Sequence, residues 1–380
     1  MHSALKILAV TLPLLAAAAC GGSSSTSTGA GGSSSSSSGT TSSSGTGGVG
    51  PSGTLACANE AAAVCTLRDT CSPGYNNKVT FGTEAACQTR TAQVCVNALD
   101  AKGTGNTAAL VQACATAYPA EVCSNFFDST PVTACQAPNG TLATGVACGA
   151  SAQCTSGYCA TTPTTTCGTC QPLPAAGATC EVQADCGRDL ACAIPTIDVG
   201  DAGVPTSGKC VAWGASGGAC LTGYNPCEAG FACVGDDETT MTMGTCMAQG
   251  TTVGAACQTS RKTAANCEGD LGLICIATQP VVNAMGTCQT ISIVAAGATC
   301  GDLGGTPATG YAVCTTGGLC KKAVATDATG TCVAAAADGA ACDSDPSIGP
   351  PCLSPAKCVA PAGSSGTAGT CTVPNATSCM

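Results

Sequence analysis

Histidine is all but missing from this 380-residue chain, and the one present is His2, inside an apolar N-terminal leader. Ser-His-Asp and Cys-His catalysis are therefore ruled out for the rest of the chain, as is every metal site built on imidazole. Aromatics are almost as scarce, with one Trp, five Tyr and four Phe. A large aromatic-centred core is not available. The 44% of hydrophobic residues are mostly Ala, Val and Cys, whose side chains each bury little apolar area. Charge is sparse and lopsided, with 12 basic residues against 22 acidic ones, a formal charge of −10 and no basic tract. Nucleic-acid binding is disfavoured on that ground. Long apolar runs are lacking too. Beyond Cys20, stretches such as Ile293–Ala296 and Val333–Ala337 fall far short of the roughly 20 residues that a spanning helix needs.

What the chain has in abundance is cysteine, 35 in all, the compositional mark of a disulfide scaffold in an oxidising compartment. Residues 1–19 read as a signal peptide: a weakly basic start with Lys6, then an apolar run from Ile7 to Ala19 too short to span a bilayer. It ends in Ala16-Ala17-Ala18-Ala19-Cys20, which resembles the lipobox of bacterial lipoproteins, with Ala17 where that family usually has Leu. The resemblance implies that Cys20 is acylated and becomes the mature N-terminus. With Gly21 rather than Asp after the cysteine, it also implies outer-membrane sorting. The alternative is ordinary cleavage after Ala19, leaving a free thiol. Parity favours the lipid, because setting Cys20 aside leaves an even number of cysteines that can all pair. The remainder of segment 20–54 is almost entirely Gly, Ser and Thr. It reads as a flexible stalk with a mean reach of roughly 30 Å.

Residues 55–140 read as a helical cysteine-rich region. Asn59 to Val64 and Glu84 to Ala86 carry good helix formers, and Asn106 is a candidate cap for a helix over Thr107 to Tyr118. Pro119 sits where a fourth helix would begin its first turn. Cys57 with Cys65, and Cys87 with Cys95, share a spacing that puts both thiols of each pair on about one side of a helix. That side is a stapling face.

Residues 145–380 contain a self-similar unit. A Gly-x-x-Cys motif recurs at Gly145, Gly177, Gly217, Gly254, Gly297 and Gly339, about 40 residues apart. Each unit then carries four cysteines, as in Cys180, Cys186, Cys192 and Cys210, or Cys220, Cys227, Cys233 and Cys246. These are expected to be structural disulfide cysteines, as are their counterparts in the other units. The third and fourth often sit in β-like runs such as Phe231-Ala232-Cys233-Val234 and Gly244-Thr245-Cys246-Met247, which predicts one β-hairpin per repeat. Four thiols allow three pairings. First with third and second with fourth is favoured, because it ties both hairpin strands to the N-terminal arm. The surplus Cys167 and the outlying Cys379 could pair with each other. The expectation is an array of stapled beads rather than one domain.

The run Cys148-x5-Cys154-x4-Cys159-x7-Cys167-x2-Cys170-x9-Cys180-x5-Cys186-x5-Cys192-x17-Cys210, with Tyr158 just before Cys159, resembles the Dickkopf N-terminal cysteine-rich domain. The likeness covers Cys148 to Cys210 alone, and the chain lacks the adjacent cysteine pair of that family. The resemblance implies a small disulfide-rich fold in which one of the family's bridges has no obvious partner here, and the Wnt-receptor antagonism of the animal proteins is not carried over. The whole layout also looks like bacterial cysteine-rich surface lipoproteins.

The fold class read from the sequence is therefore small and disulfide-rich, with a short helical cysteine-stapled region, tandem β-hairpin repeats and little regular core. Sites for chemistry are few. Cys167-Gly168-Thr169-Cys170 has ligand-like spacing but no second pair, so disulfides are the better reading. Asp236-Asp237-Glu238, and Asp198 with Asp201, are acidic tips that could hold calcium and more often are simply solvated. Asn139 and Asn375 begin glycosylation sequons, and Trp213, Tyr224 and Tyr311 are candidates for an aromatic patch. No catalytic residue, cofactor or metal is expected. The functional expectation is a non-enzymatic, lipid-anchored surface protein presenting repeats to an unknown protein or glycan. The alternative is an extracellular structural or stalk protein with no specific ligand.

Overall fold

The computed structural model describes residues 52–379, apart from 129–131, 163, 182, 187–189, 196–206, 282, 306, 325, 346–348 and 362–366. Cys20, the leader and nearly all of the stalk thus lie outside the described residues, as do Asp198 and Asp201. The N-terminal region is a hub of five helices: α1 (Gly53–Cys71), α2 (Asn76–Thr80), α3 (Glu84–Leu99), α4 (Ala108–Ala117) and α5 (Cys123–Phe127). Ser52 caps α1, its hydroxyl accepting from the Leu55 N–H at 3.3 Å. Gly53 and Thr54, placed in the stalk by composition, are therefore the first turn of a helix, because the cap and the Ala-rich run behind it outweigh two poor helix formers. At α4 the cap is Thr107, accepting from Leu110 N–H at 3.1 Å, rather than Asn106. Pro119 lies in a 3-10 turn, Tyr118–Ala120, that runs on from α4, and the next helix starts only at Cys123.

The eight-residue spacings resolve into one ladder. Cys57 bonds Cys95 and Cys65 bonds Cys87, so α1 and α3 run antiparallel with two rungs between them. Cys71–Cys123 ties α1 to α5, and Cys114–Cys135 ties α4 to a 3-10 turn at Thr133–Cys135. Around these bridges Ala63, Val64, Leu67, Ala115 and Tyr118 form a small apolar core. Inside the hub, on α1, Glu60 is 1% exposed and neither carboxylate oxygen has a hydrogen-bond partner. Burial pushes its pKa up to about 8.

Six repeats follow, and each pairs first cysteine with third and second with fourth. The bonds are Cys148–Cys159 and Cys154–Cys170, Cys180–Cys192 and Cys186–Cys210, and Cys220–Cys233 and Cys227–Cys246. They continue as Cys257–Cys275 and Cys267–Cys288, Cys300–Cys320 and Cys314–Cys332, and Cys342–Cys358 and Cys352–Cys371. The third and fourth cysteines sit directly opposite one another in the hairpin, as Cys233 does to Cys246 and Cys275 to Cys288. Each nevertheless bonds elsewhere, so two disulfides stack on one face and become the core of the repeat.

The arm in front of the hairpin is more ordered than expected. The residues at the first cysteine form a strand of their own, pairing with the free edge of the fourth-cysteine strand, so five repeats have three-stranded antiparallel sheets. Unpaired strand edges carry unmet donors and acceptors, and the arm satisfies them. In the fifth repeat the strands Ser292–Val294 and Gly310–Cys314 extend the sheet to five. Ahead of the first cysteine, Leu142, Gly214, Gly250 and Ala336 each make a parallel bridge to the second cysteine of their repeat, and Val294 does the same by strand pairing with Cys314. The second repeat has Pro174 in that place, with no N–H to give.

Two glycines per repeat have separate reasons. The Gly of Gly-x-x-Cys has φ between 72° and 88° with open space around it, and its N–H bonds the carbonyl of the fourth cysteine, as Gly217 does to Cys246 at 2.9 Å. It is there for its left-handed backbone. The Gly two residues before the fourth cysteine, such as Gly244 or Gly286, has no room for a side chain, because a Cβ would collide with the carbonyl of Val234 or Ile276 across the hairpin.

The array is not a string of free beads. It docks on the hub, mostly through residues just after the second cysteine of the third to sixth repeats. Ala229 N–H donates to Asp128 after α5 at 2.6 Å. The Asp270 carbonyl accepts from Ser72 and Asn76. Thr316 and Gly317 donate to the backbone of α2. Arg90 of α3 binds Asp338 and the carbonyls of Leu353 and Ser354. The first repeat meets the hub too, where Gly105 N–H bonds Ala152 O at 2.7 Å. Finally the last residues return to the first repeat. Cys379 bonds Cys167, and Lys357 Nζ donates to Thr162 O and Thr165 O at 3.1 and 3.0 Å. Bridges are confined to single repeats with that one exception, and the exception closes the array on itself.

Candidate functional site

Among the described residues, most groups singled out in the sequence are spent on structure. Triplets of cysteine sulfurs lie within 4.8 Å of one another in the repeats, as at Cys220, Cys227 and Cys246. Every one of those thiols is in a disulfide, so the closeness is two stacked bridges and not a ligand set. At the tip of the third repeat, Asp237 Oδ1 accepts from the N–H groups of Thr239 and Thr240, Asp236 Oδ2 accepts from Thr222 N–H, and Lys262 stands 3.8 Å from Asp237. These carboxylates are already satisfied. Asn139 donates to Thr155 O at 2.7 Å, and Asn375 accepts from Thr377 N–H at 3.0 Å, so both sequon amides brace turns. Tyr224 and Tyr311 belong to different surroundings. Tyr224 is at the surface of the third repeat, whereas Tyr311 of the fifth acts on Tyr75 of the hub.

A different cluster forms where the hub meets the third and fourth repeats. Asp128 ends α5, at the pole where a helix already carries partial negative charge, and reaches Ala229. Glu228 is the residue before, and its Oε1 accepts from Ser216 N–H at 3.3 Å. Glu268 occupies the same place in the fourth repeat, directly after the second cysteine, and is 6% exposed. Its Oε1 accepts from Asp270 N–H at 3.3 Å, and the Gly230 N–H also stabilises the carboxylate, whose buried Oε2 lies on that side. A Cβ on Gly230 would lie 3.7 Å from that oxygen, so Oε2 faces the stretch of backbone that Asp128 also touches.

The electrostatics are one-sided. Burial, reinforced by Asp270 and then Asp128, pushes Glu268 up to about 7 against the pull of nearby amides. Burial, with Glu228 and Asp270 adding to it, pushes Asp128 up to about 6, opposed by the Ala229 bond. Burial also raises Asp270. Burial, then Asp270 and Tyr311, push the Tyr75 phenol up to about 12. Among the described residues no Lys or Arg acts on these carboxylates. Arg68 of the hub lies over the rings of Phe81 and Phe126 instead, at 5.3 and 5.9 Å.

Sequence reading did not bring these acids together, since Asp128 and Ala229 are 101 positions apart. The one signal available was a Cys-Glu step at the second cysteine of the third and fourth repeats only, Cys227-Glu228 and Cys267-Glu268. No helix among the described residues is long and apolar enough to cross a membrane. No family model, curated protein or solved structure matches this chain.

Proposed function

We propose that the chain is a non-enzymatic surface lipoprotein, held to a bacterial membrane through acylated Cys20, that presents its repeats to a protein or glycan partner. The observation that carries the presenting role is where large apolar side chains face solvent. Met241, Met243 and Met247 of the third repeat, with Val281 and Met285 of the fourth, are 43–58% exposed. Met243 and Met285 hold the same position, three residues before the fourth cysteine. Folding gains nothing from exposing them, and unbranched, polarizable methionine adapts to partners of different shape. A ligand-free spacer would be expected to extend, whereas this array closes through Cys167–Cys379. That favours presentation over spacing.

Two measurements test the reading. Mass spectrometry of the membrane-extracted protein should find a lipid-modified Cys20, and an unmodified soluble N-terminus would remove the anchor from the proposal. The oxidised lipid-free chain, screened against glycan arrays and displayed surface proteins, should yield a saturable ligand whose binding drops when Met243 and Met285 are both changed to Ser. Binding indifferent to those changes would place the contact surface elsewhere.

A further inference from the structure

We propose that the fifth repeat carries a second ligand site, apart from the exposed methionines of the third and fourth, and that it takes an acidic sugar: Lys321 and Lys322 meet the anionic group while a row of threonines meets the sugar hydroxyls. Two observations lead there. The first is geometric. In this repeat the strands Thr299–Leu303, Thr329–Val333 and Leu319–Lys321 lie side by side. Thr299 stands directly opposite Thr331, and Thr331 directly opposite Lys321. Residues opposite one another in an antiparallel ladder share a face. Two hydroxyls and an ammonium therefore form one row, two strand spacings or roughly 10 Å across. Thr329 lies two residues along the middle strand, on the same face, and all four residues are exposed. Together with Lys322 and Asp327 they line an open cleft of about 560 Å³, a volume typical of small-molecule sites.

The second observation is a departure from the repeat. The residue after the third cysteine is small or apolar in the other five units, as Ala160, Ala193, Val234, Ile276 and Val359. In the fifth it is Lys321, with Lys322 behind it. The other adjacent basic pair, Arg261 and Lys262, has a structural task, since Arg261 donates to Thr222 and Lys262 stands beside Asp237, joining the fourth repeat to the third. Lysines 321 and 322 instead sit at the mouth of the cleft, in a chain whose formal charge of −10 otherwise repels anions.

The lining decides the class of ligand. Ammonium groups bind carboxylate, sulfate or phosphate oxygens as point charges, without demanding a planar partner. Threonine hydroxyls both donate and accept, which matches the hydroxyls of a sugar ring. Asp327, whose Oδ2 accepts from Val324 N–H at 3.0 Å, adds a carboxylate to the same cleft. It disfavours a ligand that is negative throughout, such as a run of acidic residues, and suits one whose anionic group is followed by neutral hydroxyls. Lys322 also acts on Asp302 of the same sheet, opposing the burial that raises that carboxyl. The cleft crosses three strands instead of following an edge, so it does not offer the backbone groups with which an added peptide strand would pair.

The test titrates the oxidised, lipid-free chain by calorimetry with trigalacturonate and with a heparin-derived tetrasaccharide, which separate carboxylated from sulfated sugars. Maltotriose, a hexaglutamate peptide and inorganic phosphate are the comparison probes. The expected result is saturable binding of at least one acidic oligosaccharide, weakening as salt rises. Lys321→Ala and Lys322→Ala should each weaken it by roughly tenfold, and Thr331→Val by roughly threefold. Lys102→Ala, at an exposed lysine of the hub, should bind like wild type. So should the double change of Met243 and Met285 to Ser, which keeps this site separable from the partner surface proposed above. An unchanged Tm and a mass showing no free thiol establish that each variant is folded. The proposal is overturned if neither acidic oligosaccharide binds saturably, or if both lysine variants bind like wild type. It is equally overturned if maltotriose, hexaglutamate or phosphate binds as tightly, or if Lys102→Ala or the methionine variant is the change that removes binding.

Discussion

Glu60 sits in the middle of α1 with Ala56, Cys57, Ala61 and Val64 around it in the sequence, all buried, and its carboxyl has no bonded partner. A charged form in that place would be expensive, so the group holds its proton far above the ordinary carboxylate range. The consequence for stability has a definite sign. The carboxyl titrates near 4.5 when unfolded and about 8 when folded. Between those values the folded state keeps a proton that the unfolded state has lost, so stability falls as pH rises through the window and levels off beyond it. A single group of this kind gives a slope of up to about 1.4 kcal/mol per pH unit. Denaturant midpoints measured from pH 5 to 9 should show the decline, and its upper part, from pH 7 to 8, should vanish in Glu60→Met. That variant keeps helix propensity and buries no polar atom, so at pH 8 it should also be more stable than wild type by roughly 1–3 kcal/mol. A Glu60→Met protein with an unchanged slope would mean that the carboxyl is already ionised and satisfied in the fold.

At the scale of the element, the repeat is a strand arm, a hairpin and two bridges, and the cysteine spacing made much of this legible. First-to-third and second-to-fourth pairing followed from asking which connectivity ties both hairpin strands to the arm, and all six repeats obey it. The arm strand itself was not legible. Two or three residues around the first cysteine, five in the fifth repeat, have no periodicity of their own and become a strand only because the return strand offers an open edge. The same holds for the parallel bridges of five repeats, which no pattern in the residues ahead of the first cysteine announces. The two glycines of the repeat give a graded test of this geometry. Gly217→Ala meets open space and costs only the left-handed backbone, about 1–2 kcal/mol. Gly244→Ala has no left-handed backbone to strain, but its Cβ would lie 2.5 Å from the Val234 carbonyl oxygen and 2.7 Å from the Asp236 nitrogen, so the hairpin backbone must move. It should therefore cost more, on the order of 3 kcal/mol, and lower the oxidative refolding yield further. Equal effects on Tm would mean that the hairpin opens freely at that point.

The whole molecule departs furthest from its sequence. Composition announced a helical region and a cystine-rich array, but nothing in the spacing said that residues after the second cysteine of the third to sixth repeats would face the hub. Neither could it show that acids from α5 and two repeats would meet, because docking contacts such as Arg90 to Asp338 span 248 positions and leave no local pattern. The closure of the array is the exception, since an odd cysteine in the first repeat and a lone cysteine near the C-terminus left each other as the obvious mates. The Cys167–Cys379 bond encloses a sequence separation of 212 residues. In the chain-entropy model a loop that long is worth about 5 kcal/mol. That figure is an upper bound here, because ten bridges internal to the second to sixth repeats already shorten the path between its ends. What the clasp adds beyond entropy is position: it holds Lys357 against Thr161, Thr162 and Thr165, and Asn97 against Pro374. Changing both cysteines to Ser should therefore leave the other 16 of the 17 bridges in place. Limited proteolysis should then cut first in the sixth repeat and its tail, with hydrogen exchange rising there and in the first repeat while the hub stays protected. Loss of protection throughout the hub would show instead that the clasp is needed for the helices to pack, and that closure precedes the docking of the repeats.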